Sequence, residues 1–158
     1  MPDGKFEILA GQAASLAETD PFYVPLLSNV AALLWDSLEG PSGKINWAGF
    51  YIMRGGMLVL GPFQGKSACI HIAPGKGVCG AAAAESKTLV VPDVHEFPGH
   101  IACDSASRSE IVAPVIGADG QVKAVIDIDS PEPGHFTKEH KEALEALAGV
   151  LGRVTLWE

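Results

Sequence analysis

Three carboxylates and three cysteines are the residues of this sequence whose types and spacing could do chemistry. Asp127 and Asp129 lie two apart in the segment Val122–Ser130, and side chains two apart on a strand point to the same face. Lys123, Val125, Asp127 and Asp129 then share one face, and Val122, Ala124, Ile126 and Ile128 form an apolar face opposite. A solvated strand face would account for the two acids without any function. Glu110 opens the neighbouring strand of a hairpin, so it can lie close to Asp129. On a further strand, Ile45 to Met53, the residues Trp47, Gly49 and Tyr51 share a face. They could be plain core. They could also form an aromatic floor beneath polar hooks, the usual make-up of a small-molecule pocket.

The cysteines, Cys69, Cys79 and Cys103, fall close together in the chain. A lone cysteine is more often an inert small hydrophobe, but three near one another invite a joint reading. Cys103 stands in the polar loop Ile101-Ala102-Cys103-Asp104-Ser105. A loop thiol ionises more easily than a buried one, although Asp104 and Glu110 oppose this unless backbone amides compensate. A zinc set of Cys69, His71, Cys79 and Cys103 is conceivable. No Cys-x-x-Cys and no pair of histidines at helical spacing supports it, so no metal is expected. The redox reading is that one thiolate attacks and another resolves the sulfur intermediate as a disulfide. His95 and His100 lie in the same loop, well placed for acid–base work, but loop histidines are commonly just solvated, and they receive no role.

Composition narrows the classes. The chain has 158 residues, enough for one domain with a sizeable core. Apolar residues make up 47% and charged residues 19%, which excludes extended disorder. A net charge of −8 without a Lys/Arg cluster argues against nucleic acid and against an anionic membrane surface. No apolar run approaches the roughly 18 residues of a membrane-spanning helix, and Met1 to Glu7 lacks the apolar core of a signal peptide. The expected location is the cytoplasm. An odd cysteine count in a reducing compartment speaks against a structural disulfide framework.

The elements that must position these residues follow from periodicity. Phe6, Leu9, Ala13 and Leu16 mark one helix face. A second helix is expected from about Pro21 to Leu38, capped by Asp20 or Thr19, with Leu26, Val30, Leu33 and Leu34 buried. After a turn at Gly40-Pro41-Ser42-Gly43 come the strand Ile45 to Met53, a turn at Gly55-Gly56 and a return strand Met57 to Leu60. Ala68 to Ile72 reads as a short strand, Gly77 to Glu85 as a short helix, and Thr88 to Val91 as a strand. Asp93 to Ser107 is a long loop. Ser109 to Ile116 and Val122 to Ile128 form a hairpin through Asp119-Gly120. Thr137 caps a last helix carrying Leu144, Leu147, Val150, Leu151 and Val154 inward. The fold class is α+β, with helices on one face of a central antiparallel sheet and a loop region across the other.

With these residues laid out, the sequence closely resembles the GAF-domain free methionine-(R)-sulfoxide reductases. The resemblance rests on Asn46-Trp47-Ala48-Gly49-Phe50-Tyr51, Gly75-Lys76-Gly77-Val78-Cys79-Gly80, His100 to Ser107, Ser109-Glu110-Ile111-Val112 and Ile126-Asp127-Ile128-Asp129-Ser130, together with all three cysteines. It runs from the second helix to the last. It implies one GAF-like domain over residues 1–158, with 1–20 as an N-terminal helical extension. Carried over residue by residue, it implies that Cys103 is the catalytic cysteine, Cys69 the resolving one and Cys79 a secondary partner. Trp47 and Tyr51 would wall the methyl-thio end of the substrate. Glu110 and Asp129 would polarise the sulfoxide oxygen, and Asp127 would hold the amino group. Backbone amides around Ile101, Ala102 and Cys103 would meet the carboxylate. The implied partners are free methionine sulfoxide, thioredoxin as reductant and a second copy in a homodimer, with no metal or organic cofactor. The rival of a different class is a non-catalytic GAF-type sensor of a small ligand.

Overall fold

A computed structural model describes residues 8–40, 44–100 and 106–158. The expected turn at 41–43 and the loop 101–105, with Ile101, Ala102 and Cys103, lie outside the described residues. Helices α1 (Leu9–Thr19) and α2 (Tyr23–Ser37) come first. Strands β1 (Trp47–Arg54), β2 (Met57–Gly65) and β3 (His71–Ile72) follow, then helix α3 (Gly77–Glu85) and strand β4 (Leu89–Val91). A short 3-10 turn, Val94–Glu96, leads on to β5 (Ser109–Ile116), β6 (Val122–Ser130) and α4 (Lys138–Val154). No helix among the described residues is long and apolar enough to cross a membrane.

The six strands form one antiparallel sheet in the order β3-β2-β1-β6-β5-β4. One face is a large apolar layer of Ala48, Phe50, Ile52, Ile111, Ala113, Val115, Ala124, Ile126 and Ile128. Helices α2 and α4 cover it, and α1 packs against both. The second face holds a smaller cluster built on Trp47, Tyr51, Val112 and Val125. Here the structure departs from a sheet with helices on one side only: α3 lies against β5 and β6 on this second face. Asp127 is therefore only 6% exposed, and the solvated strand face is ruled out. Val122 also leaves the layer that alternation assigned it. A register shift between Val115 and Ile116 turns it toward the smaller cluster.

Local chemistry explains most element ends. Helix α2 begins at Tyr23, later than expected. The Asp20 carboxylate accepts the Phe22 N–H at 2.9 Å, and the early proline inside the helix is Pro25 rather than Pro21. Strand β2 runs past Leu60 because the sheet absorbs Gly61-Pro62 in a bulge opposite Gly49 and Tyr51. The bulge presses on β1. A Cβ on Gly49 would stand 2.3 Å from the Phe63 Cβ and 2.7 Å from its Cα, so only glycine fits. The expected strand Ala68 to Ile72 shrinks to His71–Ile72, which leaves Cys69 on irregular backbone.

Thr137 does start α4, in a capping box whose second member is a histidine. The Thr137 N–H donates to His140 Nδ1 at 2.9 Å, a bond that needs that nitrogen unprotonated. Burial, and then the neighbouring His135, hold the His140 pKa below its ordinary value of 6.5. The unfolded chain therefore takes up this proton more readily than the folded one. The stability it governs is complete above the unfolded value and declines as pH falls below it. Thermal melts from about pH 8 to about pH 5 should show a smaller loss of Tm for His140→Gln than for the unaltered chain. Equal losses would detach His140 from the acid sensitivity.

Candidate active site

The register of the sheet assembles the site. Trp47 pairs with Asp129, and Asp129 with Glu110, in one cross-strand row. Gly49 pairs with Asp127, and Asp127 with Val112, in the next. The two acids of β6 and the acid of β5 thus share a face within one patch, as the alternation requires. The aromatic floor is a real stack. Trp47 and Tyr51 have ring centroids 5.9 Å apart, and Phe63 also stacks on Trp47, at 5.1 Å. Phe63 was not legible as a site residue, because the strand reading stopped short of Gly61-Pro62.

Trp47 and Tyr51 also have a second task. The Trp47 indole N–H donates to the Lys66 carbonyl at 3.1 Å, and the Tyr51 hydroxyl donates to the Cys69 carbonyl at 2.9 Å. Both aromatics therefore pin the irregular segment that carries Cys69 against the acid patch. Cys69 is disulfide-bonded, whereas Cys79 is a buried free thiol. A cavity of about 40 Å³ lies over the floor. Trp47, Tyr51, Cys79, Glu110, Asp127 and Asp129 all line it. Lys76, His100 and Ser107 line it as well, and the sequence reading left all three without a role. Ser107 is held in place by the Asn46 amide at 3.1 Å.

Helix α3 closes the patch from above. Its packing is tight: a Cβ on Gly80 would come within 2.4 Å of the Ala73 carbonyl oxygen, so a larger residue would lift the helix and with it Cys79. Cys79 is 4% exposed. One donor atom each from Cys79, Glu110 and Asp127 lie within 4.8 Å of one another. Asp127 Oδ1 is buried without a hydrogen-bond partner.

Such crowding decides protonation. Burial pushes the Glu110 carboxyl well above the ordinary carboxylate range. The charges of Asp127 and Asp129, and hydrogen bonds to both, add to the shift. Glu110 is thus the acid of the cluster whose pKa is raised, by burial first and by like charges close by second. The Cys79 thiol is also pushed up, by burial first and then by Asp127, Glu110 and Asp129, so it stays a thiol rather than a thiolate. The Tyr51 phenol is raised by burial and by the same charges, and it remains a donor. Burial and His95 lower the His100 pKa, against a smaller opposing pull from Asp127.

This fold and this covered patch are those of a GAF domain, and the GAF family profile matches residues 7–154. The free methionine-R-sulfoxide reductase of Saccharomyces cerevisiae is 48% identical over 80% of this chain and 72% of its own length. That of Escherichia coli is 46% identical over 93% of this chain and 81% of its own. The X-ray structure of free methionine-R-sulfoxide reductase from Neisseria meningitidis in complex with its substrate superposes with a TM-score of 0.85. It is 39% identical and covers 93% of this chain and 86% of that one. The chain belongs to the GAF-domain family and, within it, to the family of the free methionine-R-sulfoxide reductases.

The sign of the Glu110 shift gives a test independent of catalysis. Its folded pKa lies above the ordinary value of 4.5. The stability it contributes is therefore complete below that value and is lost as pH rises through the folded one. Between about pH 5 and about pH 8, Tm should fall with rising pH more steeply for the unaltered chain than for Glu110→Gln. Parallel profiles would mean that Glu110 is ionised in the folded protein.

Proposed function

We propose that the chain reduces free methionine-(R)-sulfoxide to methionine, with Cys103 as nucleophile and Cys69 as resolving cysteine. One observation carries the reading: Glu110 is a buried carboxyl with a raised pKa beside Asp127 and Asp129, over an aromatic floor. A sulfoxide oxygen leaves only when it is protonated, and Glu110, paired across the strands with Asp129, is the group to protonate it. Trp47 and Tyr51 take the methyl-thio end. Asp127, with a buried oxygen that has no hydrogen-bond partner, takes the ammonium group, and the amides around Ile101, Ala102 and Cys103 take the carboxylate.

The Cys103 thiolate attacks the sulfoxide sulfur, the oxygen passes to Cys103, and methionine leaves with an enzyme sulfenic acid behind it. The Cys69 thiol condenses with that acid, releasing water and forming a disulfide. An external dithiol, thioredoxin, returns both thiols and is itself oxidised. Support for this pairing comes from the state of the other two cysteines, since Cys69 is disulfide-bonded and Cys79 is a free thiol with a raised pKa. Cys79 then serves as an alternative resolving partner only when Cys69 is lost. The reading places the protein in the cytoplasm as a homodimer.

Two measurements test it. Cys103→Ser should abolish turnover even with excess dithiothreitol. Cys69→Ser should still release about one methionine per chain in a single turnover while losing thioredoxin-linked turnover. Normal recycling in Cys69→Ser with failure in Cys79→Ser would exchange the two roles. The second measurement compares kcat/KM for free methionine-(R)-sulfoxide and its N-acetylated, C-amidated derivative. Each buried hook left unpaired costs about 1–3 kcal/mol, so the free amino acid should be preferred by a factor of roughly hundreds. Comparable values would refute an enclosing pocket.

A further inference from the structure

Two of the acids assigned to the substrate, with the Cys79 thiol beside them, make up a second donor set in the cavity. Cys79 Sγ and one carboxylate oxygen each of Glu110 and Asp127 lie within 4.8 Å of one another, and all three residues are buried. A thiolate and two carboxylates make a mixed soft and hard set that suits a thiophilic divalent cation. Around such an ion, sulfur stands at about 2.3 Å and oxygen at about 2.0–2.2 Å, so donors in a tetrahedron are about 3.6 Å apart. Side-chain adjustments on the order of 1 Å close the present arrangement to that size. Two further observations point to a cation. Asp127, 6% exposed, lines this cavity and has a buried oxygen with no hydrogen-bond partner. Among the described residues, no ion pair reaches Glu110 or Asp127: the pairs are Lys123 with Asp119, His135 with Glu132 and Lys138 with Glu142.

We propose that Cys79, Glu110 and Asp127 form a three-ligand site for a thiophilic divalent cation, zinc or cadmium, and that the bound cation blocks the substrate cavity. The blocking clause rests on the function proposed above; the binding clause does not. On binding, the Cys79 S–H bond breaks as the sulfur–metal bond forms, and the proton goes to solvent. Any proton on Glu110 leaves in the same way. The fourth position faces the cavity, which at about 40 Å³ has room for water there. The cation would occupy the acids meant for the sulfoxide oxygen and the ammonium group, so it inhibits and is no cofactor.

Cadmium is the probe, because charge transfer from thiolate to cadmium in the ultraviolet reports the sulfur directly. The full chain carrying Cys69→Ser and Cys103→Ser retains Cys79 as its one thiol. It should bind one cadmium per chain with that band. Adding Cys79→Ala should remove the band. Adding Glu110→Gln or Asp127→Asn should weaken binding at least ~10-fold, with circular dichroism showing that each variant folds. If Asp127→Asn does not fold, Glu110→Gln decides. No band at saturating cadmium, or an affinity indifferent to Glu110, overturns the site. In single-turnover mixing with the pre-reduced unaltered chain, zinc should slow methionine release, and excess methionine sulfoxide should relieve the effect. Unrelieved or absent slowing overturns the blocking clause. A chain that releases no methionine at all counts against the proposed function, and the cadmium result still decides the metal site.

Discussion

The structure depends on a cluster of like charges that the sheet will not let separate. Glu110 and Asp129 face each other across β5 and β6, and Asp127 stands one row away on the same face. Backbone hydrogen bonds fix those positions, so the side chains cannot relax apart without breaking a ladder. Burial under α3 then removes the water that would screen them. The cluster responds in the way open to it, by raising the Glu110 pKa. A solvated version of the same three residues would be three ordinary carboxylates. What raises the pKa of one of them is the lid, with Cys79 of α3 lining the cavity beside the acids and Gly80 letting α3 pack closely on the Ala73–Gly75 segment.

The aromatic residues connect this acid to the segment that carries Cys69. Trp47 and Tyr51 belong to β1, one strand away from the acids of β6, and each spends its polar atom on the backbone of the Cys69 segment. That segment has almost no regular structure of its own, since β3 is two residues long. Two side chains that also form the cavity floor therefore help to place it, beside the Leu60 N–H donated to the Ile70 carbonyl. One pair of rings contributes both to the apolar contact surface and to the position of a cysteine. Burial and nearby charges that keep the Tyr51 phenol protonated also keep its donor available for the Cys69 carbonyl.

What was legible in the sequence follows this division. Period-two alternation in Val122–Ser130 and in the strand of Trp47 and Tyr51 located the acids and the floor, because a strand leaves a side chain only two faces. Glu110 opposite Asp129 followed from the hairpin through Asp119-Gly120. Helix α3 was also visible as an Ala-rich segment, and its limits, Gly77 and Glu85, agree with the structure. Its side of the sheet was not visible, since a helix of small residues has almost no amphipathic face to declare what it packs on. The extension of β2 through Gly61-Pro62 was hidden by the usual meaning of Pro in a strand, and Phe63 was hidden with it. The anchoring of Cys69 was out of reach for another reason. Both bonds end on backbone carbonyls, and carbonyls carry no sequence signal.

Cys79 shows why the type of a residue does not settle its work. Read in the sequence beside Cys69 and Cys103, it belongs to a redox set. In the fold it sits on the helix that covers the acids, 4% exposed, and its thiol is pushed away from the thiolate form by burial and by three carboxylates. A thiol is a nucleophile only as a thiolate, so the environment that raises the Glu110 pKa also makes Cys79 a poor nucleophile. The same environment leaves its sulfur facing two oxygens at close range. A divalent cation reverses the balance, because its charge stabilises the thiolate and the carboxylates together. The cluster that raises these pKa values is thus the one whose donors a thiophilic cation would draw together.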